Sequence, residues 1–159
     1  MSPEELTSQI RAIREAGWVL CDWRPRVRQG AISFVELEEY AAAVSLESLG
    51  KDGDQSPGSE GWREITIEEA RAILVHWMRH DLAYANEARD SDVAQATGAA
   101  DEFFGVFGET AQLFTNAVEA DSGPRAISSW TSRTRHTFDL GVVVADDKTI
   151  GLLWFADED

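Results

Sequence analysis

At 159 residues, with 43% hydrophobic side chains that include 7 Phe and 6 Trp, the chain has the size of one domain and enough apolar area for one core, which excludes a disordered solvating tail. Its 29 Asp and Glu residues against 14 Lys and Arg leave a net charge of −15, which excludes a surface built to neutralise the phosphates of nucleic acid or anionic lipid. One cysteine, Cys21, excludes an intramolecular disulfide and a thiolate metal cluster.

Met1-Ser2-Pro3-Glu4-Glu5 lacks the basic and then apolar character of a secretory leader, and no apolar run reaches the length of a membrane span, so the expected address is the cytoplasm. The same segment starts a helix. Ser2 is its N-cap, Pro3 its first residue and Glu5 completes a capping box ahead of Leu6, Ile10 and Ile13, with Gly17 as the expected stop. Arg24, Arg26 and Arg28 follow at alternating positions, a spacing that aligns three guanidinium groups along an extended segment. They suit either a phosphate or carboxylate ligand, or the chain's own acidic helix around Glu36, Glu38 and Glu39; the second is favoured because it relieves self-repulsion.

That second helix starts at Ser33 with Glu36 three residues on, carries Phe34, Leu37, Tyr40, Ala41 and Val44 as its inward stripe, and stops at Gly50. Residues 50–61, rich in Gly, Ser, Asp and Pro, read as an acidic surface loop within a single domain spanning 1–159. Asp52-Gly53-Asp54 starts like a calcium loop, but Pro57 and Arg63 stand where a glycine and a bidentate glutamate are required. Thr66 and Glu69 box the third helix, with Ala70, Ile73, Leu74, Trp77 and Met78 inward. A fourth helix, capped by Ser91, runs to Phe104 despite Gly98.

Beyond residue 110 the apolar period becomes two. Phe138, Leu140, Val142 and Val144, then Ile150, Leu152 and Trp154, flank Asp146-Asp147-Lys148 as an antiparallel hairpin. The second run is apolar on both faces, as in a central strand covered on two sides. Residues 111–116 and 126–131 are further strand candidates. The fold class that follows is α+β: three to four helices in the first two thirds packed on a C-terminal antiparallel β-sheet.

Chemistry-bearing motifs are sparse. His76 and His80 share the i, i+4 spacing of metal-binding helices, but Trp77 replaces the glutamate of the zincin motif. No nucleophile elbow, phosphate loop or dinucleotide fingerprint is present, so no catalytic residue, metal or cofactor is expected. Trp77 and Trp154 read as core, Trp62 as a surface anchor, and Asp157-Glu158-Asp159 as a negative terminal knob.

The expectation that best fits these features is a small acidic binding protein of the inhibitor or immunity type, neutralising a basic protein partner such as a toxin nuclease. Nucleic acid and membrane are excluded as partners, and the oligomeric state is left open. Its expected contact surface is Glu36, Glu38, Glu39, Glu47, Asp52, Asp54 and Glu60, with Trp62 as anchor. A general nucleic-acid mimic shares these electrostatics. The alternative from another class is a small-ligand or metal-dependent enzyme with a pocket around His76, His80 and Asp139.

Overall fold

The computed structural model describes residues 1–14, 17–50, 61–82, 87–88, 92–120, 123–130, 134–135 and 138–158, with the backbone course alone for 118–120 and 123–130. Among the described residues four helices form, three at the caps the sequence offers and the fourth at Asp92, the expected cap Ser91 lying outside the described residues. In α1 (Pro3–Ile13) the Ser2 hydroxyl accepts from Glu5 N while the Glu5 carboxylate accepts from Ser2 N, so two of the donors left over at a helix start are satisfied. The helix ends at Ile13, four residues before Gly17, because Arg14 turns extended and inward. In α2 (Phe34–Leu49) the box is half formed: Ser33 accepts from Glu36 N, but the Glu36 carboxylate is engaged elsewhere. Both halves are present in α3 (Ile67–Arg79), between Thr66 and Glu69. For α4 (Val93–Phe104) the cap is Asp92, whose carboxylate accepts from Ala94 N.

The described residues also form seven strands: β1 (Trp18–Pro25), β2 (Arg63–Ile65), β3 (Gln112–Thr115), β4 (Ala117–Ala120), β5 (Gly123–Trp130), β6 (Phe138–Ala145) and β7 (Thr149–Asp157). Five form an antiparallel sheet in the order β1-β7-β6-β3-β2, and β4 pairs with β5 apart from it. The C-terminal hairpin is thus the centre of the sheet, and the first strand in sequence lies against the last. The α+β reading holds, with two strands, β1 and β2, added from the helical half of the chain.

Alternation along the strands sorts the core into two layers. Val19, Leu140, Val142, Val144, Leu153 and Phe155 face α1, α3 and α4, whereas Leu20, Val143, Ile150, Leu152 and Trp154 face α2. β7 is buried on both sides from Ile150 to Asp157, as its two-sided apolar pattern requires. Helices therefore cover both faces of the sheet. Two strand glycines are forced by close approach: a Cβ on Gly141 would lie 2.3 Å from the Leu153 carbonyl oxygen, and one on Gly151 would lie 2.6 Å from the Phe107 ring. Among the described residues no helix is long and apolar enough to cross a membrane.

Candidate functional site

The acidic face expected on the second helix is built from β1 and α2 together. β1 is extended, so Asp22, Arg24 and Arg26 leave the sheet on the face that α2 covers, and α2 runs back across them. Arg26 Nε and Nη2 hold the two carboxylate oxygens of Glu36 at 2.7 and 2.9 Å, and its Nη1 donates to the Asp146 carbonyl at 3.2 Å. Arg24 donates to Asp22 at 2.8 Å and to Glu47 at 3.0 and 3.4 Å. Arg28 donates to Glu39 at 2.8 Å. The arginine row is a ladder of internal partners for the helix.

This changes the expected contact surface. Glu36 is buried, with 8% of its surface exposed, and its carboxylate is consumed by Arg26. Glu39 and Glu47 remain exposed but each is neutralised by its own arginine. Glu38 accepts from the Trp62 indole Nε1 at 3.0 Å. Trp62, expected as a surface anchor, is 6% exposed, because its ring packs at an angle on Trp154 with centroids 5.7 Å apart. Phe34, expected inward, is 43% exposed, and its ring stands perpendicular to that of Phe114 with centroids 6.0 Å apart. Asp52, Asp54 and Glu60, with the rest of residues 51–60, lie outside the described residues.

Burial shows in the titration of this layer. Hydrogen bonding to Glu36 outweighs burial and holds the Arg26 guanidinium above its usual range. Tyr40, whose hydroxyl donates to the Asp22 carboxylate at 2.7 Å, has its phenol pushed up by burial and then by the Asp22 charge. On the other face of β1, burial pushes the Cys21 thiol up to about 12, which keeps it protonated and a poor nucleophile at neutral pH.

The second candidate cluster does not assemble. His76 and His80 stand at the end of α3 with rings nearly parallel, centroids 4.1 Å apart, and His80 Nδ1–H donates to the His76 carbonyl at 2.7 Å. Asp139, adjacent to the inward Leu140, leaves β6 on the opposite face of the sheet, where its carboxylate accepts from Thr134 N and Oγ1 at 2.8 Å each. Asn116 beside it donates to the Asp139 carbonyl and accepts from Gly141 N, taking over the ladder bonds of β6 where β3 ends. The sheet separates the acid from the histidines. Among the described residues no three His, Cys, Asp or Glu side chains converge to hold a metal.

One buried cluster was not anticipated. Arg14 donates to the carbonyls of Trp77 and His80 and to the Asp157 carboxylate, which also accepts from Leu82 N at 2.6 Å. The pair is nearly inaccessible, with side chains 2% and 4% exposed, and the Arg14 guanidinium lies 4.9 Å from the Phe155 ring centroid. It ties the end of α1, the end of α3 and the last strand together. Asp157 is therefore part of the core, and the expected negative knob at the C-terminus loses it. A sequence signal existed: Asp157 continues the inward positions Leu153 and Phe155, where a carboxylate requires a partner.

The remaining carboxylates define the outer surface. Glu4, Glu64, Glu68, Glu102 and Glu109 are exposed and make no ion pair among the described residues. Arg71 and Arg79, by contrast, are paired with Asp101 and Glu87. The fold and this site define an α+β domain in which, among the described residues, Arg14, Arg24, Arg26, Arg28, Arg71 and Arg79 are turned onto its own carboxylates. No protein-family model, curated protein or solved structure matches the chain.

Proposed function

We propose that this is a small acidic binding protein that neutralises a basic protein partner, in the manner of an inhibitor or immunity protein. The observation that carries the reading is the division of charge. Arg14, Arg24, Arg26, Arg28, Arg71 and Arg79 are each spent on a carboxylate of the same chain, so the excess of −15 is presented by acids such as Glu64, Glu68 and Glu109. A field of that sign attracts cationic surfaces, raises association rates and discriminates against anionic competitors.

The test is capture of partners on the immobilised full-length chain from its native lysate at low salt, with stepwise elution in rising salt. A single basic protein recovered near one to one, released by salt and bound more slowly by the Glu64→Lys/Glu68→Lys variant, supports the proposal. Recovery of no basic protein at any salt overturns it. Many unrelated nucleic-acid enzymes recovered together would replace a cognate target with general nucleic-acid mimicry.

A further inference from the structure

On the α1, α3 and α4 side of the sheet the cover is incomplete where β3 meets β6. Leu113 and Val144, cross-strand partners, form the floor of an open groove of about 410 Å³, walled by Ile67 of α3, Phe104 of α4, and Phe107 and Ala111 of the connection to β3. The floor is buried, and the walls are half-buried. The connection is held in place from below. Phe107 packs edge-on to Phe103 with centroids 5.4 Å apart and lies over Gly151, while Gly108 N donates to the Asp146 carboxylate at 2.7 Å. The groove is thus a preformed hollow with aromatic walls.

Its rim is acidic. Glu109 lines the lip, Glu68 follows Ile67 in the first turn of α3, and Asp146, whose carboxylate holds Gly108 N, is followed by Asp147 in the hairpin turn. Against them stand Lys148 in the same turn, Arg26, which Glu36 holds and whose Nη1 donates to the Asp146 carbonyl, and Arg71, which Asp101 already holds at 2.8 Å. We propose that this groove receives one apolar side chain of a cationic partner, an aromatic or long aliphatic residue flanked by lysine or arginine. The proposal rests on the reading of the protein as a binder of basic proteins and adds the place and chemistry of its anchor. An apolar knob supplies affinity by leaving water, and the flanking cations supply direction through the rim. A second copy of this chain is the less suitable occupant, since it would bring another −15 to the same rim.

The experiment is an NMR titration of the ¹⁵N-labelled full chain with three peptides: acetyl-Lys-Lys-Phe-Lys-Lys-amide, its Phe-to-Ala counterpart, and acetyl-Glu-Glu-Phe-Glu-Glu-amide. The first is expected to shift the amides of Phe104, Phe107, Ala111, Leu113 and Val144, and the other two to leave them in place. Glu109→Lys is expected to weaken it about fivefold at low salt, the order of one partly solvated charge pair. Ala111→Leu, which fills the hollow from its wall, is expected to abolish those shifts with the rest of the spectrum unchanged.

Equal shifts from the alanine peptide would overturn the anchor, and equal shifts from the glutamate peptide would overturn the cationic partner in favour of a plain apolar ligand. Concentration-dependent shifts at these amides without peptide would make the occupant a second copy and overturn it likewise. If the lysine peptide perturbs only acidic residues elsewhere, the groove fails while the binding reading stands. If no peptide binds and the lysate yields no basic protein, both fall.

Discussion

At the scale of single residues, the decisive pair is Arg26 and Glu36. Both side chains are almost wholly enclosed, 3% and 11% exposed, and the contact is bidentate. Removing one partner of such a pair leaves a charge without water or counter-ion, so the loss exceeds what the pair itself contributes. Arg26→Ala is expected to cost about 3 kcal/mol of unfolding free energy. Arg26→Leu combined with Glu36→Leu should recover much of that, because neither charge then needs a partner. Urea denaturation of the three proteins decides this; an unchanged midpoint for Arg26→Ala would remove the pair from any structural role. Glu36 was readable in the sequence as an acid near three arginines, but not as a buried one. Its pairing depends on α2 folding back across β1, a tertiary event that neither segment encodes alone. Trp62 failed for the same reason, since the ring that covers it, Trp154, lies 92 residues further along the chain.

At the scale of elements, the β6 to β7 turn carries a pH dependence. Asp146 Oδ1 accepts from Lys148 N and Thr149 N, and Oδ2 accepts from Gly108 N, so one carboxylate both shapes the hairpin and fastens the connection after α4. Burial works to raise its pKa, but the three backbone N–H groups outweigh burial and hold it below the ordinary aspartate value. A depressed folded-state pKa adds stability that is present above the unfolded value and is lost as pH falls through the folded one. Asp146→Asn keeps one acceptor but not the charge. It is expected to cost about 1 kcal/mol at pH 6, a modest figure because the carboxylate is partly solvated, and the gap from the parent should close towards pH 3. Urea midpoints along that series would refute the assignment if the gap stayed constant. Elements with local signatures were legible: capping boxes fixed the starts of α1 and α3, and a change of period announced the hairpin. β1 and β2 carried no such signature. Trp18–Pro25 mixes Cys21, Asp22 and Arg24 with apolar residues and becomes a strand by pairing with β7, while Arg63–Ile65 is too short to show a period.

At the scale of the whole molecule, charge acts against the fold that carries it. The pairs Arg14 with Asp157 and Arg26 with Glu36 are buried, where mobile ions screen them little, whereas Glu4, Glu64, Glu68, Glu102 and Glu109 face solvent, where ions screen their charges fully. Added salt therefore weakens repulsion more than it weakens attraction. The exposed pairs Arg24 with Glu47 and Arg28 with Glu39 lose something, but such pairs contribute at most about 1 kcal/mol each before screening. With a net charge of −15 the repulsive side is the larger, so the melting temperature should rise between low salt and about 0.5 M sodium chloride, where the Debye length falls to roughly 4 Å. A fall would mean that surface ion pairs outweigh the excess charge. Binding of a cationic partner should show the opposite sign, weakening over the same range, because there salt screens attraction. Measured side by side, stability and association moving in opposite directions with ionic strength would tie the charge excess to recognition, and movement in the same direction would separate them.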